Sequence, residues 1–158
     1  MHTIFVYGTL KEGFANFGIN AGRRLPGTFC TAERYPLFII GKPFLPWLVH
    51  QPGAGEQVIG QLFEVDDKIL QQMDRLEQVD EEGWYQRLEI QVLAVGQQNL
   101  STRLTHLAPA ETVTHPAALP LTAFAYFGSS ARVAREPVHA GPLVEFTAQH
   151  NQNYLNAI

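Results

Sequence analysis

The chain has 158 residues, of which 46% are hydrophobic and 16% charged, and its formal net charge is −4. This composition is typical of a folded globular protein and excludes an intrinsically disordered chain. Arg23-Arg24 is the only basic cluster, and no apolar run approaches the ~18 residues of a membrane span, so we expect neither nucleic acid nor a membrane as a partner.

The cysteine content and the first residues of the chain indicate the cellular compartment in which we expect the protein. Cys30 is the only cysteine, so the chain can form neither an intrachain disulfide nor a thiolate cluster for zinc or iron–sulfur. Met1-His2-Thr3 leads directly into an apolar run, without the charged and long apolar segments of a signal peptide. We therefore expect a cytoplasmic protein. The length favours one domain over residues 1–158, and we expect a monomer or a weak dimer.

Four strands are predicted in the first part of the chain, from apolar and β-branched content bounded by glycine and proline. They cover residues 3–7, 27–34, 37–40 and 57–65. Residues 13–22 carry three large apolar side chains between glycines, which is compatible with a short helix or an ordered loop. Residues 43–55 are dense in proline and glycine, which predicts a loop that its own apolar side chains anchor to the protein.

The one long helix is predicted to begin at Asp66 or Asp67, because either carboxylate can cap it, and to run to about Val79. One face of this helix is apolar. Its apolar residues are Ile69, Leu70, Met73 and Leu76.

Two further strands are predicted after this helix. Residues 86–95 alternate between apolar and polar side chains, as a half-buried strand does. Residues 121–127 are apolar on both faces, which favours a central strand. Residues 96–120 lack clear periodicity, with 102–107 as a candidate strand, and residues 142–158 are predicted to be partly helical. Strands do not alternate regularly with helices, so the sequence predicts an α+β protein with a mixed, mostly antiparallel sheet or small barrel and a few helices.

The segment Tyr7-Gly8-Thr9-Leu10 directly follows the first strand. Backbone N–H groups that leave a buried strand at a glycine can point at a ligand, because no side chain shields them. Such donors suit a carboxylate or a developing oxyanion. On its own, this segment is only suggestive of a binding site.

Glu77 occupies a position where the helical stripe calls for an apolar side chain. A carboxyl group buried there should have a raised pKa, which is what a general acid or base near neutral pH needs. Periodicity alone slightly favours the alternative that the helix ends at Leu76 and that Glu77 is a solvated or hydrogen-bonded C-terminal residue. The acidic run after it, residues 80–82, is typical of a solvated loop.

The familiar catalytic and cofactor motifs are missing from the sequence. His-Glu-x-x-His, Gly-x-Ser-x-Gly, Gly-x-Gly-x-x-Gly and a Walker lysine do not occur. We therefore expect no metal and no cofactor. Trp47, Tyr85 and Tyr126, taken singly, are more typical of core or rim aromatic residues than of ligand contacts.

Taken together, the motifs resemble the gamma-glutamylcyclotransferase-like superfamily. The pattern combines Tyr7-Gly8-Thr9-Leu10 with Met73-Asp74-Arg75-Leu76-Glu77 and Tyr85-Gln86-Arg87. Tyr35-Pro36-Leu37 and Pro46-Trp47-Leu48 narrow the resemblance to the gamma-glutamylamine cyclotransferase branch. It covers roughly residues 1–95, with a weaker piece at 123–126. Met73 replaces the usual leucine, and the loop that contains residues 80–83 is longer than in that branch.

The resemblance implies a small, mostly antiparallel β-barrel and a metal-free, cofactor-free reaction on a small gamma-glutamyl substrate. The substrate's α-amine attacks its own γ-glutamyl carbonyl, which yields 5-oxoproline and a free amine. The same resemblance assigns Glu77 as the general base and Tyr7, Gly8, Thr9 and Leu10 as the glutamyl-binding loop. Trp47, Tyr85 and Tyr126 join them as expected substrate-binding residues.

Two other functions remain open at this point. The chain can be a non-catalytic module of the same fold that binds a small acid or regulates a partner. It can also be an interaction protein, and the apolar segment of residues 44–48 is the only sequence feature that supports this hypothesis. An exposed patch there would favour that hypothesis.

Overall fold

The computed structural model describes residues 1–96 and 119–158. These residues form nine strands, three α-helices and one short 3₁₀ helix at Phe17–Ile19. The strands are β1 His2–Val6, β2 Arg23–Arg24, β3 Thr28–Thr31, β4 Leu37–Ile40, β5 Leu45–Leu48, β6 Ile59–Val65, β7 Gln86–Val95, β8 Leu121–Phe127 and β9 Val138–Ala140. The helices are α1 Asp67–Leu76, α2 Ser130–Arg135 and α3 Ala148–Ala157.

Five strands close into a mixed β-barrel. Their order is β1-β8-β7-β3-β6, and β6 pairs again with β1. The β1–β8 pair is parallel, with Ile4 opposite Phe124, and the other four pairs around the barrel are antiparallel. The short β2 extends the sheet on β6. The predicted α+β class and the mostly antiparallel barrel are confirmed.

A second, three-stranded sheet lies against the barrel. Its order is β5-β4-β9, with antiparallel pairs throughout. A parallel bridge between Val49 and Gly128 joins the end of β5 to the end of β8. This junction places the end of β5 beside the barrel end where β8 finishes.

The second half of strand β1 is buried on both faces, and this explains the apolar run from Ile4 to Val6. Phe5 belongs to one core cluster, together with residues such as Leu62 of β6. Ile4 and Val6 belong to a second cluster that includes Met73 of helix α1. Because side chains alternate along a strand, one face of β1 packs inside the barrel and the other packs under the helix.

Helix α1 has clear start and stop signals. The Asp66 side chain accepts a hydrogen bond from the Ile69 amide at 2.8 Å and so caps the first turn. The helix ends at Leu76, Glu77 is the C-cap residue, and Gln78 follows with a φ of 54°. The helix is therefore about three residues shorter than predicted.

Several elements differ from the sequence-based expectations. Strand β5 lies within residues 43–55, where a loop was expected, and neither α2 nor β9 was predicted. The 13–22 segment contains the 3₁₀ helix, and α3 confirms the partly helical C-terminal segment. The candidate strand at 102–107 lies outside the described residues. Within residues 1–96 and 119–158, every helix falls short of the length and apolarity that crossing a bilayer requires.

Candidate active site

A cavity of about 310 Å³ opens where the barrel, the second sheet and two helices meet. Its walls come from the end of β1 and the loop after it, the turn before β5, the end of α1, the loop before β7, and single residues of β8 and α3. Seven of the eight predicted site residues line it. They are Tyr7, Gly8, Thr9, Leu10, Glu77, Tyr85 and Tyr126.

The loop after β1 lines the cavity and contains backbone donors that are not used within the described part of the protein. Its carbonyl groups are occupied, because Gly8 O accepts from the Lys11 amide and Thr9 O accepts from the Asn16 amide. Among the described residues, the N–H groups of Gly8, Thr9 and Leu10 have no hydrogen-bond acceptor. All three residues are buried. Buried donors without a protein partner are rare, and a ligand oxygen would satisfy them.

Gly8 is required here by a close approach rather than by an unusual φ. A Cβ atom at this position would lie 2.8 Å from Cγ of Pro46, which is closer than packed side chains tolerate. The glycine thus lets the loop pack against β5. It also leaves the neighbouring amides uncovered.

Glu77 faces the cavity from the end of helix α1. Glu77 is partly buried and is one of the residues that line the cavity. This burial raises the pKa of the Glu77 carboxyl to about 8. Among the described residues, no donor or cation offsets that cost. A carboxyl with this pKa can both accept and return a proton near neutral pH.

Three tyrosines form the wall around Glu77. The Tyr7 hydroxyl donates to the Tyr126 carbonyl at 2.7 Å, and the Tyr85 hydroxyl donates to the Pro46 carbonyl at 2.5 Å. Burial raises the pKa of all three hydroxyls, and the nearby Glu77 carboxylate adds to the effect in each case. The hydroxyls stay protonated and donate to protein acceptors, so the tyrosines offer a ligand mainly their ring surfaces.

Asp74 joins helix α1 to two barrel strands behind this wall. Its Oδ1 accepts from the Tyr126 hydroxyl at 2.7 Å and lies 3.0 Å from Nε of Arg87. The Arg87 guanidinium also stacks on the Phe124 ring, 4.6 Å from its centroid. Asp74 lies off the apolar stripe of helix α1, at a position typical of a surface residue. In the structure it is partly buried, and it fixes the position of Tyr126 beside Glu77.

Trp47 is the one predicted site residue that the structure does not bring to the cavity. It is completely buried, its Nε1 donates to the Ser129 carbonyl at 2.8 Å, and its ring packs 4.5 Å from the Tyr85 ring. A Cβ atom on Gly128 would overlap this ring. Trp47 therefore supports Tyr85 from behind. Because Trp47 is buried, the apolar segment 44–48 does not form the exposed patch that an interaction protein would need.

Several lining residues were not predicted from the sequence. Trp84 lines the cavity. The Arg132 guanidinium of α2 stacks on the Trp84 ring, 4.1 Å from the ring centroid, and donates a hydrogen bond to the Gly83 carbonyl. Lys42 and Tyr154 also line it. Tyr154 could not be assigned from the sequence because α3 reaches the cavity only through tertiary packing. One such contact is the hydrogen bond of 2.9 Å from the Ala15 amide to the Asn151 side chain.

The site thus pairs a proton acceptor with oxyanion donors across one small cavity. Uncovered amides on the loop after β1 can hold a carboxylate or an oxyanion, and Glu77 can transfer a proton. Within residues 1–96 and 119–158, no three His, Cys, Asp or Glu side chains come together in a way that could hold a metal ion.

A family model described as "Gamma-glutamyl cyclotransferase, AIG2-like" matches residues 4–138. Among similar sequences, the gamma-glutamylaminecyclotransferase of Rattus norvegicus is 40% identical over 97 residues, which cover 58% of this chain and 64% of the rat protein. The Homo sapiens gamma-glutamylaminecyclotransferase is 38% identical over 99 residues, which cover 58% of this chain and 62% of that protein. The chain thus matches a little less than two thirds of the length of these relatives.

The comparison with solved structures agrees with the sequence matches. A crystal structure of an AIG2-like protein from Mus musculus superimposes with a TM-score of 0.65 and 28% sequence identity. The superposition covers 93% of this chain and 88% of the mouse chain. The similarity in structure therefore extends well beyond the 58% of this chain that the rat and human sequences match.

Proposed function

Because this chain belongs to the gamma-glutamyl cyclotransferase, AIG2-like family, we propose that it is a gamma-glutamyl cyclotransferase. In this proposal it converts a small gamma-glutamyl amine into 5-oxoproline and the free amine. The observation that supports this most strongly is the Glu77 carboxyl, with a pKa of about 8, in the same cavity as the uncovered amides of Gly8 to Leu10.

The reaction needs one base and one set of oxyanion donors. Ionised Glu77 takes a proton from the substrate's α-ammonium group, and the amine then attacks the γ-carbonyl carbon. A C–N bond closes the five-membered ring, and the carbonyl oxygen becomes an oxyanion. The amides of the loop after β1 stabilise either this oxyanion or the substrate's α-carboxylate.

The second half of the reaction returns the proton. Glu77 gives it to the nitrogen of the scissile amide, the C–N bond to that nitrogen breaks, and the carbonyl of 5-oxoproline re-forms. The ring nitrogen also loses its second surplus proton, which the released amine takes up, so that the amine departs as an ammonium ion. No water, metal or cofactor enters the balance. The nucleophile and the electrophile belong to one molecule, so the cavity contributes mainly by folding the substrate into its ring-closing conformation.

The names of the relatives suggest a class of substrate. The rat, mouse and human proteins are called gamma-glutamylaminecyclotransferases. We propose gamma-glutamyl conjugates of amines, such as the isopeptide with the ε-amine of lysine, as substrates of this chain. A cavity of about 310 Å³ is of the size expected for a site that takes such a small molecule.

A panel of gamma-glutamyl compounds tests this proposal. The purified protein is incubated with gamma-glutamyl-ε-lysine, gamma-glutamyl alkylamines and gamma-glutamyl amino acids, and 5-oxoproline is quantified by mass spectrometry. We expect release from at least one compound. Tight binding of a small acid without 5-oxoproline from any member would instead identify a non-catalytic binding module.

A further inference from the structure

The cavity has a strongly uneven distribution of charge. Among its described lining residues, only Glu77 and Lys42 carry charged side chains. Glu77 is partly buried beside the buried Tyr7 and Tyr85, whereas Lys42 is exposed. Burial alone raises the pKa of Glu77, without an opposing effect from the Lys42 charge. The ammonium group of Lys42 thus belongs to the mouth of the cavity and not to the proton-transfer centre.

Lys42 has a fixed backbone and an uncommitted side chain. It lies in the turn between β4 and β5, where the Gly41 amide donates to the Pro137 carbonyl at 2.8 Å and the Phe44 amide donates to the Gly41 carbonyl at 3.1 Å. Glu136 packs against Gly41, but it pairs with Arg132 at 3.7 Å. Within the part of the chain that the structure describes, no ion pair involves Lys42.

The other two lysines differ from Lys42 in their surroundings. Lys11 is buried, donates to the Phe146 carbonyl and lies 3.8 Å from a carboxylate oxygen of Glu145. Lys68 is exposed on helix α1 and does not line the cavity. Among the described residues that line the cavity, Lys42 is therefore the cation that a bound molecule can reach. Ammonium groups pair well with carboxylates.

The direction of the substrate in the cavity decides which carboxylate Lys42 meets. With the γ-carbonyl and the α-amine near Glu77 and the inner loop, the substituent on the scissile nitrogen extends toward the mouth. Resting on the proposed function, we propose that Lys42 binds a carboxylate on the departing amine. The preferred substrates are then gamma-glutamyl conjugates of amines that carry a carboxylate, rather than conjugates of plain alkylamines or diamines.

Two compounds isolate this carboxylate. Gamma-glutamyl-ε-lysine and gamma-glutamylcadaverine differ only by the carboxylate on the lysine α-carbon. Binding of each is measured by calorimetry to Glu77→Gln, in which turnover is suppressed and the ligand stays intact. We expect the lysine compound to bind roughly five- to tenfold more tightly, as one charge-assisted hydrogen bond near the surface allows. This ratio should fall at high ionic strength.

Variants of Lys42 show how much this residue contributes to the preference for the carboxylate-bearing compound. Adding Lys42→Ala to Glu77→Gln should bring the binding ratio close to one, whereas Lys42→Arg should preserve most of it. Lys68→Ala removes the same charge from a surface outside the cavity and serves as the matched control. It should leave the ratio unchanged.

The outcomes separate the two proposals. Equal affinity of Glu77→Gln for the two compounds would overturn the assignment of Lys42. An equal loss of affinity for both compounds when Lys42→Ala is added would overturn it too, because Lys42 would then bind the glutamyl carboxylate that the two compounds share. A missing 5-oxoproline signal from wild-type protein would overturn the cyclotransferase proposal, yet a Lys42-dependent ratio would still support the carboxylate site. No binding of either compound would contradict both.

Discussion

At the scale of single residues, Glu77 combines both alternatives that its sequence position left open. The helix ends at Leu76 and Glu77 is its C-cap residue, which is what the non-catalytic alternative predicted. Its carboxyl is nevertheless turned into the cavity with a raised pKa. Periodicity could identify the position as unusual, but only the path of the chain after the helix decides whether such a residue faces solvent or a cavity.

The raised pKa of Glu77 predicts a specific pH dependence of stability. Its pKa is about 8 in the folded protein against an ordinary value of 4.5. Between these values the folded state holds a proton that the unfolded chain has lost, so the free energy of unfolding falls as the pH rises through this window. The slope from this group is at most about 1.4 kcal/mol per pH unit. Above about pH 8 the contribution becomes constant.

Urea unfolding of wild type and Glu77→Gln across this window measures the effect. The variant lacks the ionisation, so the stability difference between the two proteins should change in its favour as the pH rises. Glu82→Gln, which changes an exposed carboxylate, should run parallel to wild type. Parallel curves for Glu77→Gln and wild type would instead show that the pKa of Glu77 is not raised in the folded protein.

At the scale of elements, apolar patterning predicted the long strands better than the short elements. Strands at 37–40, 86–95 and 121–127 have the predicted bounds, because each is long or strongly apolar. Strand β5 was hidden by Pro46 within a proline-rich segment. Among the described strands, β5 is the edge strand of its sheet and forms a ladder with β4 alone, and its other edge is bonded only near its end, to Gly128, so Pro46 is tolerated. Helix α2 and strand β9 have only six and three residues, which is too short for a periodic pattern.

The contact between helix α1 and the barrel provides a prediction at this scale. Asp74→Ala removes the acceptor for the Tyr126 hydroxyl and the partner of the Arg87 guanidinium, and it leaves both groups unpaired. We expect the free energy of unfolding to fall by about 1–3 kcal/mol in urea titrations. Asp80→Ala, which removes an exposed carboxylate a few residues later, should cost much less. Similar losses in the two variants would contradict a structural role of the Asp74 contacts.

At the scale of the whole molecule, the barrel explains why two distant segments form one site. Strand β1 lies between β6 and β8, and helix α1 follows β6 directly. The loop at the end of β1 and the last turn of α1 therefore meet at one cavity, although about 70 residues separate them in the sequence. The sequence could predict the two halves of this site. It could not predict the wall that α3 contributes with Tyr154, because no local pattern records a tertiary contact.

The central claim is that Glu77 transfers the proton in a cyclotransferase reaction, and one measurement tests it most directly. Release of 5-oxoproline from gamma-glutamyl-ε-lysine is compared between wild type, Glu77→Gln and the exposed control Glu82→Gln, with circular dichroism to verify that all three are folded. We predict a loss of roughly 10²–10⁴-fold for Glu77→Gln alone, as expected when a general base is removed. A folded Glu77→Gln that releases 5-oxoproline as fast as wild type would contradict this account.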